Sequence, residues 1–229
     1  MVVGSGMIAS ALSCYKAEEG VLIFASGVSN SRETSETAFQ RERAPLETNL
    51  KQRRDTLFVY FSTTSIHDPD LVSSPYVLHK LAMERLVRFT ANRYLIFRCS
   101  EVVGRGGNRA NVVNFFHSRI SNDERFDLWV NASRRLIDVE DVVASVTEVI
   151  DVGAPAQGTI LLTVDQLTHV EDIVAALEQT TGKKANYRRV AKGNCSNINQ
   201  RADIDEAKVI SVRENYAAHL ISKYYGGTS

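Results

Sequence analysis

The chain has 229 residues, enough for one large domain or for a core domain with a smaller lobe. Its 27 basic and 27 acidic residues cancel, which argues against a broad electrostatic surface for nucleic acid. No apolar run approaches the ~18 residues of a membrane span, and no basic segment precedes the apolar opening Met1-Val2-Val3, so the chain reads as soluble, cytoplasmic and without a secretory signal.

Short aliphatic and aromatic runs suited to buried parallel strands alternate with helix-like stretches. A very short strand is expected at Val2–Val3, then a helix over Met7–Glu19. A strand over Val21–Ala25 and a helix over roughly Glu36–Arg54 follow. Thr56–Phe61 is the next strand, and a helix over Pro75–Asn92 leads to a strand over Tyr94–Arg98. Ser74 stands where it caps that helix, and Pro75 stands where a first-turn proline is tolerated. Leu78, Leu81, Ala82 and Phe89 form its expected apolar packing stripe, with Tyr76, Lys80, Met83 and Val87 on the other side. Beyond Asn92, Gly104–Gly107 reads as a loop and Val112–Ile120 as a helix. A short segment at Phe126–Val130, a helix over Val139–Asp151 and a strand over Ile160–Val164 come next. Thr168-His-Val-Glu171 has the spacing of a capping box for a helix that Gly182 ends. The alternation specifies an α/β fold with a parallel sheet. Residues 1–103 are expected to form the core of that sheet, and 104–229 a mixed lobe that returns to it.

Two local patterns carry chemistry. Gly4-Ser-Gly6-Met-Ile-Ala9 follows the first strand and opens a helix, the G-x-G-x-x-G/A arrangement for a dinucleotide. The first glycine makes the turn, the second lets backbone approach a pyrophosphate, and the small third residue allows close packing. Tyr76 and Lys80 then stand at i and i+4, on one helix face. A phenol titrates near pH ~10, and a nearby ammonium favours its phenolate. A hydroxyl from a strand end, Ser62 or Thr63, would complete a proton relay to a substrate oxygen. Cys14, Cys99 and Cys195 are widely spaced, with no metal-ligand spacing around them. No metal is expected, and a reducing compartment is.

Together these pieces resemble the extended short-chain dehydrogenase/reductase family, the nucleotide-sugar epimerases and reductases in particular. The resemblance runs over nearly the whole chain. It rests on the glycine loop, Phe24-Ala25-Ser26-Gly27, Phe61-Ser62-Thr63 and Ser74-Pro75-Tyr76-Val-Leu-His-Lys80. Phe97-Arg98 with Val102-Val103-Gly104 and Ile137-Asp-Val-Glu-Asp141-Val142 complete it. It implies a Rossmann-like doubly wound sheet with a small C-terminal substrate lobe, and NAD or NADP as cofactor. It implies Tyr76 as acid/base, Lys80 as the group that lowers its pKa, Thr63 as the substrate-binding hydroxyl and Asn49 as the active-site asparagine. Cofactor contacts fall to Gly4, Ser5, Gly6, Met7, Ile8, Ala25, Ser26, Gly27, Ser62 and Cys99, besides Tyr76 and Lys80. Thr64, Ser65, Glu101, Asn114 and Arg135 fall to a nucleotide-sugar substrate. A homodimer through the helices 36–54 and 75–92 is also implied.

The sequence departs from the family in three places. One helix leads from Met7 straight to Val21–Ala25, so the second and third strands of the usual half are missing, and with them the adenosine wall. No acidic residue follows Val21–Ala25 to hold an adenosine ribose. Thr64 and Ser65 occupy the Asp-Glu positions of sugar-nucleotide 4,6-dehydratases, which argues against dehydration. Glu101 stands where the family often has an asparagine against the substrate. The leading expectation is hydride transfer at a sugar carbon; the alternative is a non-catalytic nucleotide- or sugar-binding module on the same scaffold.

Overall fold

A computed structural model describes residues 1–153, 156–193 and 204–227; Cys195 lies outside them. β1 (Val2–Val3), α1 (Met7–Ala11), β2 (Val21–Phe24) and α2 (Glu36–Gln52) come first. β3 (Leu57–Thr63), α3 (Pro75–Thr90) and β4 (Arg93–Cys99) complete the first half. β5 (Glu101–Val103), α4 (Val112–Ser121), β6 (Phe126–Trp129), β7 (Ser133–Arg134), β8 (Leu136–Asp138) and α5 (Val139–Asp151) follow. β9 (Gln157–Val164), β10 (Thr168–His169), α6 (Val170–Thr181), β11 (Tyr187–Val190), β12 (Glu206–Ile210) and α7 (Tyr216–Tyr225) end the order.

The main sheet is six-stranded and parallel, in the order β1-β2-β3-β4-β9-β12. Every residue of β3 is buried, as a strand covered on both faces requires. Leu57, Val59 and Phe61 point to the face that carries Leu12 and the α5 residues Val142 and Val146. Phe58 and Tyr60 point to the opposite face, against Leu46 and Leu50 of α2 and Met83 and Val87 of α3. Helices therefore cover both faces. A second apolar cluster joins α4, α6 and α7 with β6, and forms the smaller lobe.

The chain steps from β1 to β2 to β3 in one direction across the sheet. Yet α1 packs on the α5 face and α2 on the α3 face, so these two crossovers have opposite hands. About 98% of such crossovers share one hand. Among the described residues no strand pairs with the outer edge of β1.

Several expected details differ. The helix after the glycine loop is five residues long and continues as a 3-10 turn at Ser13–Ala17, which tucks Tyr15 into the core. β3 runs on to Thr63, so Ser62 and Thr63 belong to the strand. The packing face of α3 is the reverse of the expected one: Tyr76, Val77, Lys80, Met83, Glu84 and Val87 are buried, whereas Leu78 and Phe89 are 56% and 89% exposed. Buried acceptors for Lys80 on α2 and β3 make that polar face the inner one. No capping box forms at Thr168, which pairs with Arg134 as part of β10; α6 begins at Val170 with no side-chain cap. Gly182 does end α6, in the left-handed region at φ 68°.

Candidate active site

Parallel strands deliver their C-terminal ends to one edge, and ligands in such sheets bind there. Here that edge holds Gly4–Gly6 after β1, Ala25–Gly27 after β2, Thr63 at the end of β3 with Thr64 and Ser65 after it, and Ser100–Glu101 after β4. A cavity of about 880 Å³ opens over it. Gly6, Met7 and Ile8, Ala25 and Gly27, and Ser62 to Ser65 line one side. Tyr76, Lys80, Cys99 and Glu101 lie beside them, and Trp129 and Arg134 face them from the smaller lobe. Asn108 donates to Ser29 across its mouth at 2.8 Å, and the Arg32 guanidinium lies 5.3 Å from the centre of the Trp129 ring.

Local structure sets each group in place. Gly4 takes φ +128°, and a Cβ there would sit 2.5 Å from the Ala25 carbonyl oxygen, so only glycine fits the turn. Above Gly6 the space is open. Ser74 accepts from Val77 N–H at 3.2 Å and caps α3, which aims Tyr76 and Lys80 at the end of β3. Thr63 Oγ1 accepts from Ser65 N–H at 3.1 Å. Burial pushes the Tyr76 phenol well above its ordinary value; a hydrogen bond with the Thr63 side chain opposes this, and the Glu42 and Glu101 carboxylates reinforce it. Burial likewise pushes the Cys99 thiol up to about 12, against the pull of the Lys80 charge.

Lys80 finds two buried acceptors in the structure. Its Nζ donates to Glu42 Oε1 and to the Phe61 carbonyl, both at 3.0 Å, and lies 4.6 Å from the centre of the Tyr60 ring. Glu42 comes from α2 and is 1% exposed. Burial alone would raise its carboxyl, but Lys80, His79, Tyr60 and the Val28 N–H together hold it at about 2. Sequence reasoning missed this residue and chose Asn49 instead. Asn49 donates to the Pro45 carbonyl at 2.8 Å and does not reach the cavity wall. It lies seven residues along from Glu42, on the same helix face but about 10 Å further down the axis.

Of the remaining expected residues, Gly4, Ser5 and Ser26 lie outside the cavity wall, Gly4 serving the turn beneath it. Asn114 donates to the Asn108 carbonyl at 2.8 Å and accepts from Tyr225 Oη at 2.5 Å, which anchors the loop to α7. Arg135 turns away and donates to the carbonyls of Val164 and Asp165, at 2.9 and 2.6 Å. Its neighbour Arg134 lines the cavity and opposes the rise that burial imposes on the Glu101 carboxyl. Successive residues of extended chain point to opposite sides, so Arg134 reaches the cavity wall and Arg135 does not. Two further groups stand out: the Ser62 and Ser100 hydroxyls are buried in the cavity wall with no hydrogen-bond partner among the described residues. Such orphaned groups are uncommon in native structures. Among the described residues no cluster of His, Cys, Asp or Glu is arranged to hold a metal, and no helix is long and apolar enough to cross a membrane.

The sequence model of the NAD dependent epimerase/dehydratase family matches residues 19–160. That span includes β2 to β4 and the Tyr76 helix, and leaves the glycine loop outside. No curated protein sequence matches the chain significantly. Solved structures do share its fold. RMD from Pseudomonas aeruginosa, complexed with NADPH, is 16% identical with a TM-score of 0.65, and the match covers 100% of this chain and 92% of that one. UDP-glucuronic acid 4-epimerase from Bacillus cereus, with UDP-glucuronic acid and NAD, is 17% identical with a TM-score of 0.64, over 95% and 74% of the two chains. UDP-glucose 4-epimerase from Thermus thermophilus, with NAD, is 13% identical with a TM-score of 0.62, over 82% and 71%.

Proposed function

The chain belongs to the NAD-dependent epimerase/dehydratase family, and we propose that it is an NAD(P)-dependent oxidoreductase or epimerase acting at a carbon of a nucleotide-linked sugar. The observation that carries this reading is the meeting of Thr63, Tyr76 and Lys80 with Gly6, Met7 and Ile8 on the wall of one cavity. Tyr76 exchanges the proton of the reacting oxygen, and Thr63 holds that oxygen. Arg134, also on the cavity wall, supplies the cation for the diphosphate of the substrate. Thr64 and Ser65 offer hydroxyls where a dehydratase needs carboxylates, which favours epimerisation or keto reduction over dehydration.

The residues fit the nicotinamide end of a dinucleotide. Gly6, Met7 and Ile8 would hold its phosphates at the start of α1, Ala25 and Gly27 would pass beside it, and the free Ser62 hydroxyl would receive its polar end. The bound cofactor supplies a hydride donor or acceptor. For the adenosine end the fit is poorer: among the described residues no strand pairs with the outer edge of β1, and Ala25-Ser26-Gly27 at the end of β2 offers no carboxylate. That edge, and the opposed hands of the first two crossovers, support the reading that two strands beyond β1 have been lost. The same observation favours a second reading, a nucleotide- or sugar-binding module without turnover.

The two readings part on one experiment. The protein is incubated with NAD or NADP and with UDP-glucose or UDP-glucuronic acid as probes, and products are followed by absorbance at the reduced-nicotinamide band and by proton NMR. Turnover that Tyr76→Phe removes, with binding retained, supports the enzyme. Binding of the sugar nucleotide with no turnover in either form supports the module.

A further inference from the structure

Glu42 is a buried charged group behind the cavity wall, in direct contact with Lys80 of that wall. Its carboxylate accepts from Tyr60 Oη at 2.6 Å and Lys80 Nζ at 3.0 Å on Oε1, and from Val28 N–H at 2.8 Å and His79 Nε2 at 3.0 Å on Oε2. One side chain thus ties α2 to α3, to β3 and to the loop after β2. An isolated buried carboxylate is strongly unfavourable, and this one is compensated on both oxygens. The pair also lies tight beneath Gly27, where a Cβ would come within 2.9 Å of Lys80 Nζ and 3.1 Å of Glu42 Oε1.

We propose that Glu42 is a positioning residue that locks Lys80 into a neutral pair and so keeps Tyr76 a proton donor rather than a phenolate base. A lysine stabilises a neighbouring phenolate only while its charge is unopposed. Here a carboxylate sits 3.0 Å from the ammonium, and the pair presents little net field to the phenol. The ionisable groups that act on Tyr76 are Glu42 on α2, Tyr60 on β3, Cys99 on β4 and Glu101 on β5, and Lys80 stands at i+4 on α3. Lys80, one helical turn from Tyr76, is the cation among them, and Glu42 contacts it at 3.0 Å.

This rests on the proposed role of Tyr76 and gives it a direction. A neutral phenol can donate its proton to a carbonyl oxygen; a bound dihydronicotinamide would supply the hydride to the carbonyl carbon and be oxidised, and solvent would then reprotonate the tyrosine. The substrate class it fits is a nucleotide-linked keto sugar undergoing reduction.

The test is an ultraviolet difference titration of the full chain with neither cofactor nor substrate present. Wild type is compared with Tyr76→Phe, and Glu42→Gln with Glu42→Gln/Tyr76→Phe. The first pair is expected to coincide up to about pH 11. The second pair is expected to differ by one phenolate, with its midpoint at least tenfold lower in proton affinity, and adding Lys80→Met is expected to abolish the difference. A Tyr76 phenolate near neutral pH in the wild type overturns the proposal, as does a Glu42→Gln titration that matches wild type. The wild-type pair needs no change at position 42, so the proposal stays exposed to refutation even where Glu42→Gln does not fold. Because no ligand is used, failure here leaves the oxidoreductase reading intact, and failure to bind cofactor leaves this one intact.

Discussion

Arg134 and Arg135 make the clearest contrast between a site residue and a structural one. Arg134 is on the cavity wall, and Arg135 clamps the end of β9. Arg134→Gln should weaken UDP-sugar binding about tenfold or more, the scale of a charge-assisted hydrogen bond, with little change in Tm. Arg135→Gln should lower Tm and leave affinity alone; isothermal calorimetry beside thermal melts distinguishes the two. Ser100→Ala should likewise weaken ligand binding without destabilising the protein, since its hydroxyl has no protein partner to lose. Glu42 carries a pH signature. Its folded carboxyl lies at about 2 against an ordinary 4.5, with burial opposing and Lys80, His79 and Tyr60 prevailing. A depressed carboxylate stabilises the fold above its unfolded pKa and loses that contribution as pH falls through the folded one. Denaturant titrations should therefore show about 3 kcal/mol lost between about pH 4.5 and pH 2, a loss absent from Glu42→Gln.

At the scale of elements, α3 is held to β4 by a buried charge cluster. Arg98, 1% exposed, pairs with Glu84 through Nε at 2.9 Å and Nη2 at 2.8 Å, and Arg88 reaches the same carboxylate at 3.0 Å. Glu84→Ala removes the buried carboxylate on which Arg98 and Arg88 converge and should cost about 3–5 kcal/mol, measured by urea unfolding. The cluster also explains what could be read beforehand and what could not. β3 and β4 were legible because strands buried on both faces are apolar throughout. Thr63, Tyr76 and Lys80 were legible because their spacing is local. The inner face of α3 was not, because Lys80 and Glu84 look like solvent-facing charges until Glu42 and Arg98 arrive from other elements. Glu42 was hidden for the same reason, in a helix whose other charges face water. The two-residue β7 carried too little alternation to tell Arg134 from Arg135.

For the molecule as a whole, Leu78 and Phe89 lie on one face of α3 and are both exposed among the described residues. We propose that a second copy covers that face, so Phe89→Glu should shift the mass measured by light scattering from dimer to monomer. The fold is the Rossmann-like α/β fold, and a nicotinamide cofactor is expected to bind in the cavity at the strand ends. Trp129 is the single tryptophan of the chain and lies on the cavity wall. Titration of NADH or NADPH, followed by energy transfer from Trp129 to the reduced nicotinamide, tests the claim directly. The account predicts a saturable signal below about 1 mM; no saturable transfer from either cofactor over that range would contradict it.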